Sequence, residues 1–96
     1  MDSKVQIRIA QVFEDNLIEG PAARLLAIVL CWRMDDDDET TVTRKELADK
    51  IGSSAKTVSR HLNHLEDLGY ITKDLHGGDG SNKNVYRAGR RWSMGP

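Results

Sequence analysis

Cysteine, proline and aromatic residues are scarce in this chain of 96 residues, which contains one Cys, two Pro and five aromatic side chains. A single cysteine excludes an internal disulfide framework and is typical of a reducing cytoplasm. The longest apolar run, residues 25–32, is much shorter than the roughly 20 residues that span a bilayer. The N-terminus lacks the basic and then apolar segments of a secretory signal. We therefore expect one small cytoplasmic domain with no membrane association and a core of Leu, Ile, Val and Ala.

A large net charge is also lacking, since the formal net charge is −1, but the two signs are unevenly distributed. Residues 1–40 contain four Lys or Arg and nine Asp or Glu, whereas residues 41–96 contain ten and six. This asymmetry indicates a basic working surface in the second part of the chain. The consecutive acidic residues 35–39 are interpreted as a solvated loop, because neighbouring carboxylates cannot all face one cation and the spacing of a calcium loop is missing.

Two patterns compete in the first 19 residues. Residues 5–9 alternate between apolar and polar side chains, as in a strand, whereas residues 9, 12, 13 and 17 have helical spacing. The sequence favours a short strand or extended arm followed by a helical turn, and this arm is a candidate for dimerisation. Pro21 then begins a helix over residues 21–34, which is apolar on nearly every side. Such a helix is expected to be buried from several directions.

Residues 43–68 contain the signals of two consecutive helices. Thr43 and Glu46 form a capping box, in which each side chain accepts a hydrogen bond from the other residue's backbone N–H. Gly52 is expected to end this first helix in the left-handed conformation. Ser54 fits best as the N-cap of the second helix, residues 54–68. The inner face of this helix is apolar: Ala55, Val58, Leu62 and Leu65.

Short β-prone segments lie on both sides of these helices. Residues 40–42 are predicted to form a short strand. Residues 70–73 and 84–87 are predicted to form a β-hairpin around the glycine-rich segment 76–83. The glycines do not indicate a nucleotide site, because no helix follows them to face a phosphate.

Residues 43–73 resemble the winged helix-turn-helix superfamily. The segments that carry the resemblance are Glu46-Leu47-Ala48, Ile51-Gly52, Thr57-Val58-Ser59-Arg60 and Leu65-Glu66-Asp67-Leu68-Gly69-Tyr70-Ile71. The resemblance extends over residues 20–88 and implies a mainly α fold with a small β-hairpin wing, residues 70–88. Residues 1–19 are then an N-terminal arm, and residues 89–96 a C-terminal tail. The order of arm, Gly/Pro-started helix and polar loop is also similar to the DNA-binding domains of phage and plasmid replication initiators.

In this superfamily the second helix enters the major groove of double-stranded DNA, and the wing contacts the flanking backbone. With Val58 directed inward, a rotation of about 100° per residue identifies the residues on or beside the outward side. They are Lys56, Thr57, Arg60, Asn63 and His64. Lys56 and Arg60 are the candidates for contacts with guanine, and Asn63 is the candidate for adenine.

The resemblance also implies contacts with phosphates. At the N-terminus of the second helix the candidates are Ser53, Ser54 and Thr57. On the wing, Lys83 and Arg87 are expected to neutralise flanking phosphates, with Arg90 and Arg91 as further candidates in the tail.

The expected function is sequence-specific binding of double-stranded DNA, as a homodimeric transcriptional regulator on a two-fold operator. A replication or recombination accessory factor of a phage or plasmid would use the same contacts, and a winged helix used only for protein–protein assembly is a third alternative. No nucleophile motif is present, and His61 and His64 lack further ligands at zinc spacing. We therefore expect neither an enzyme nor a metal or cofactor site. Cys31 is interpreted as a core residue, Trp32 as a core or interface residue, and Trp92 as the anchor of the tail.

Overall fold

The computed structural model describes residues 3–74 and 82–93. The helices of this part are α1 (Ser3–Glu14), α2 (Gly20–Arg33), α3 (Arg44–Ile51), α4 (Ala55–Asp67) and α5 (Arg90–Ser93). Its strands are β1 (Glu39–Thr43), β2 (Ile71–Asp74) and β3 (Lys83–Ala88). Helices α1 to α4 pack around one apolar core, and the strands form an antiparallel sheet in the order β1–β3–β2. This arrangement is the mainly α winged helix-turn-helix that the sequence predicts.

The N-terminal segment is a helix, so the expected strand or extended arm is wrong. Helix α1 packs against α2. On its inner side Arg8 and Val12 are buried, and Val5 is half-buried. The alternation in residues 5–9 is misleading because a strand would place the polar Arg8 at the surface. Arg8 is instead buried, since it forms an ion pair with the distant Asp38.

Within the described part of one chain, helix α2 buries one face, so that its own neighbours supply only part of the expected burial from several directions. The inner face is covered by α1, α3 and α4 and consists of Ala23, Leu26, Ala27, Leu30 and Cys31. The opposite face carries Leu25 and Trp32, which are 43% and 63% exposed. Trp32 is therefore not a core residue of the described structure. Cys31 is buried as expected, and burial raises the pKa of its thiol.

Local capping interactions define the two helices of the motif. Thr43 Oγ1 accepts a hydrogen bond from the Glu46 N–H at 2.9 Å, and Glu46 Oε1 accepts from the Thr43 N–H at 3.4 Å. Gly52 ends α3 with a φ of 68°, a conformation that favours glycine. Ser54 caps α4 by accepting from the Thr57 N–H at 3.1 Å. The predicted capping box, turn and second helix are confirmed.

The wing consists of β2 and β3, and β1 adds a third strand on the other side of β3. Along β3, Asn84 and Tyr86 are buried, whereas Lys83 and Arg87 face outward. The expected strands are thus confirmed, and most of the glycine-rich segment between them, residues 75–81, lies outside the described residues.

The segment after the wing returns to the core. Trp92 in α5 is buried, and its ring meets that of Tyr70 edge to face, with 5.5 Å between the ring centroids. The turn between β3 and α5 requires Gly89, because a Cβ atom there would lie 2.4 Å from the carbonyl oxygen of Gly69. Trp92 is therefore the predicted anchor of this segment, and residues 94–96 of the expected tail lie outside the described residues.

An ion pair between the buried Arg8 and the half-buried Asp38 fastens α1 to the loop before β1. Arg8 donates to both carboxylate oxygens of Asp38, at 2.9 and 3.2 Å, and to the carbonyl oxygen of Trp92 at 3.3 Å. Lys4 donates to the same carboxylate at 2.9 Å. The hydrogen bond from Arg8, assisted by that from Lys4, lowers the pKa of Asp38 to about 2. The acidic run 35–39 is thus not simply the solvated loop that we expected, because three of its carboxylates, those of Asp35, Asp38 and Glu39, have internal partners.

Candidate nucleic-acid interface

Helix α4 is held by its inner face, so that its opposite side is presented to solvent. Val58, Leu62 and Leu65 are buried in the core, where α4 packs against α2 and α3. The exposed residues on the opposite side include the three predicted to read bases, Lys56, Arg60 and Asn63, and Asp67 in the last turn. The structure thus brings these three side chains onto one surface, which we call the outer face of α4.

The first turn of α4 uses its hydroxyl groups within the fold. The Ser54 hydroxyl accepts from the Thr57 N–H and donates to Thr57 Oγ1 at 3.0 Å. Ser53, the preceding residue, is half-buried. The N–H groups of Ala55 and Lys56 belong to the first turn, where a helix supplies no internal partners, and such groups bind phosphates. The predicted phosphate contact therefore depends on backbone N–H groups more than on hydroxyls.

The two histidines of α4 face the connection between α1 and α2. His64 Nε2 accepts from the Glu19 N–H at 3.0 Å, as a neutral imidazole can. His61 is half-buried, and this burial together with the neighbouring Arg60 charge lowers its pKa. His64, which we predicted beside the outward residues, is thus engaged in holding the start of α2 against α4.

The other flank of α4 contacts β2 and the beginning of α3. Lys73 Nζ donates to Asn63 Oδ1 and lies 3.2 Å from Glu66 Oε1. Arg44 Nη1 donates to Ser59 Oγ at 2.9 Å. Apart from Glu66, these side chains line a pocket of about 200 Å³ between α3, α4 and β2. Arg44 and Lys73 therefore place two cations on the side of α4 next to the wing, and both already donate hydrogen bonds to residues of α4.

Arg44 and Lys73 belong to this surface although the sequence patterns did not lead us to predict them there. Lys73 follows Ile71 by two residues, and residues two apart in a strand share one face. Its inward direction could therefore have been found from strand alternation. Arg44 carries no comparable signal, because its contact with Ser59 joins helices through residues 15 positions apart.

The predicted wing contacts are separated along β3. Lys83 is exposed at the first residue of the strand. Arg87 lies about 13 Å farther along, at about 3.3 Å per residue, and its Nε is 3.0 Å from Glu39 Oε2. Beyond the wing, Arg91 donates to the carbonyl oxygen of Leu68 at 3.0 Å, and Arg90 is exposed. Lys83 is therefore better placed for a flanking phosphate than Arg87 or Arg91, which have internal partners.

The far side of α2 carries an apolar groove of about 370 Å³, lined by Ile28, Val29, Trp32, Arg33 and Lys50.

Among residues 3–74 and 82–93, no group of three or more His, Cys, Asp or Glu side chains is arranged to hold a metal ion. No helix in the same part of the chain is both long and apolar enough to cross a membrane.

A family model described as a helix-turn-helix domain matches residues 20–71, more than half of the chain. No curated protein and no solved structure matches the chain. The matched residues include α2, α3 and α4, and therefore the whole outer face of α4. Domains of this family are typically DNA-binding modules and not enzymes. The chain therefore belongs to the helix-turn-helix domain family, and this membership indicates DNA binding.

Proposed function

We propose that this protein is a cytoplasmic, sequence-specific regulator of transcription that reads the major groove of double-stranded DNA with α4. The observation that carries the proposal is the outer face of α4. Lys56, Arg60 and Asn63 are exposed there, on a helix whose other side is fixed in the core. The major groove is about 12 Å wide and admits such a helix, and its base edges offer acceptors to cationic and amide side chains.

The exposed cations divide into base-reading and phosphate-binding groups. Arg60 and Lys56 read guanine in this proposal, because guanine O6 and N7 are both acceptors. The first turn of α4 binds a phosphate through its backbone N–H groups, and Lys83 binds one from the wing. Arg87 contributes by exchanging its exposed intramolecular ion pair for a phosphate, since such surface pairs contribute only about 0–1 kcal/mol.

The proposal predicts different effects for substitutions of Arg60 and Lys83. Arg60→Ala is expected to cost about 1–3 kcal/mol on the preferred duplex and to remove the preference at one base position. Lys83→Ala is expected to weaken binding to preferred and scrambled duplexes alike, because a phosphate contact carries no sequence information. The measurement is selection of bound sequences from random duplexes, followed by the ratio of affinities for the preferred and a scrambled duplex.

Both variants are expected to remain folded, because Arg60 and Lys83 are exposed. Loss of the affinity ratio in Lys83→Ala, with no change in Arg60→Ala, would show that the wing reads the bases and would contradict the proposed docking. A protein that binds no duplex at all would leave only the role in protein–protein assembly.

We further propose that the protein acts as a homodimer, because the open face of α2 is apolar. Leu25, Ile28, Val29 and Trp32 follow one another at helical spacing along this face, and Leu25 and Trp32 are well exposed. Pairing of the face with that of a second copy across a two-fold axis would remove it from water. Two recognition helices could then reach half-sites one DNA turn apart, about 34 Å.

Trp32→Gln is expected to reduce the dimer to a monomer at micromolar concentration, because it removes the largest exposed apolar side chain of the pairing face. Light scattering measures the mass, which should be about twice 10.8 kDa for the wild-type protein. Phe13→Gln is the matched control, since Phe13 is 62% exposed but lies on α1. A wild-type mass of 10.8 kDa would exclude the dimer, and equal effects of the two substitutions would exclude this face of α2.

A further inference from the structure

Lys73 joins the wing to the outer face of α4. It lies on β2, two residues after the buried Ile71, and its side chain is only 9% exposed. Its ammonium group donates to Asn63 Oδ1 and pairs with Glu66 Oε1 at 3.2 Å. Asn63 is itself exposed. A nearly buried cation of the wing therefore touches a residue that the proposed function places against DNA.

This contact orients the side-chain amide of Asn63. An asparagine amide is planar and carries an acceptor oxygen on one side and a donor NH2 group on the other. A hydrogen bond from a charged donor is roughly twice as strong as a neutral one, so the oxygen is held toward Lys73. The NH2 group is then directed away from the wing and remains on the outer face of α4 as a donor.

We infer that Lys73 is a positioning residue for base recognition, which makes Asn63 select a keto base, guanine or thymine, at one position of the DNA site. The inference rests on the proposed function, since it requires α4 in the major groove. Guanine O6 and thymine O4 accept a hydrogen bond from an NH2 group, whereas adenine N6 and cytosine N4 are donors at the same edge. Bidentate recognition of adenine needs the asparagine oxygen to accept from N6 while the NH2 group donates to N7. Lys73 occupies one lone pair of that oxygen and holds it toward the wing, so that adenine is left with the single contact at N7. A keto base therefore takes the place of the adenine expected from the sequence.

The test compares base preferences at the position that Asn63 reads, which Asn63→Ala identifies by loss of preference there. In the wild-type protein, keto bases should be preferred by about fivefold, the equivalent of one net hydrogen bond. Lys73→Met frees the amide to rotate, so this preference should fall below about twofold and adenine should gain. Lys73→Arg keeps a charged donor and should retain the keto preference. Sequencing of duplexes selected by each protein gives all four results.

Glu66→Gln is the matched control, because it removes the ion pair of Lys73 and leaves the contact with Asn63 in place. Its keto preference should equal that of the wild-type protein, and every variant should retain the preference at the position read by Arg60. A wild-type preference for adenine at the Asn63 position, or an unchanged preference in Lys73→Met, would overturn the inference while leaving the proposed function intact.

A measurement without DNA distinguishes failure of this inference from failure of the proposed function. In NMR spectra of isotope-labelled protein, the side-chain NH2 resonances of Asn63 should move in Lys73→Met and stay in place in Glu66→Gln. Resonances that stay in place in Lys73→Met would overturn the positioning role whatever the DNA result. Resonances that move as expected, in a protein that selects no duplex, would overturn the proposed function and the base selection with it.

Discussion

The affinity for duplex DNA is expected to fall by about 10² to 10⁴-fold when the salt concentration rises from about 50 mM to about 200 mM. Each phosphate neutralised by the protein releases counterions, and about four to eight such contacts give log K a slope of about −4 to −7 against log salt. Lys56, Arg60 and Lys83 are exposed cations available for these contacts. Fluorescence anisotropy of a labelled duplex at several salt concentrations measures the slope.

A pair of lysine substitutions tests where the contacts lie. Lys83→Ala should make the slope shallower by about one, because it removes one phosphate contact. Lys4→Ala removes the same charge from α1, outside both the proposed DNA interface and the proposed dimer face, and should leave the slope unchanged. Equal effects of the two substitutions would show a response to net charge alone and would contradict the wing contact. Absence of binding at about 50 mM salt would exclude the DNA-binding role.

The substitution Asp38→Asn is expected to destabilise the domain by about 3 kcal/mol at neutral pH, because it leaves a buried guanidinium without its counter-charge. The side chain of Arg8 is only 5% exposed, and its nitrogens donate to both oxygens of the Asp38 carboxylate. Asparagine is the appropriate replacement, since residue 38 has a φ of 61°, a conformation that asparagine tolerates as well as aspartate. Urea unfolding followed by circular dichroism measures the free energy of unfolding.

Lys4→Met is the matched control, because Lys4 contacts the same carboxylate from an exposed position. Its effect should stay below about 1 kcal/mol, as for other exposed ion pairs. Equal losses for Lys4→Met and Asp38→Asn would contradict the assignment of the stabilisation to the buried Arg8 contact.

The same ion pair makes the free energy of unfolding of the wild-type protein depend on pH in the acid range. The hydrogen bond from Arg8 lowers the pKa of Asp38 from 3.8 to about 2. Because the folded-state pKa is the lower one, the stabilisation is complete above about pH 4 and is lost as the pH falls toward 2. The corresponding loss is about 2 kcal/mol, and it should be missing from the titration of Asp38→Asn. An identical acid dependence in both proteins would contradict this role of Asp38.

The helix-turn-helix motif could be predicted from the sequence because its signals are local. The capping box of Thr43 and Glu46 and the cap provided by Ser54 act between residues three positions apart. The left-handed turn at Gly52 likewise depends on one residue's own backbone freedom. Once the inner face of α4 is known, the rotation per residue gives the outward direction of Arg60 without any knowledge of the rest of the fold.

Tertiary structure decided every feature whose partners are distant in the sequence. Arg8 is buried because Asp38, 30 positions away, supplies the counter-charge, and α1 therefore has an inner side that strand alternation could not reveal. His64 is engaged by Glu19 across 45 positions, and Asn63 is held by the wing through Lys73. The sequence by itself determined the motif and the outward side of α4, because periodicity and capping are local. Only the packing of the whole chain determined which of those outward groups are already hydrogen-bonded and which are free to meet DNA.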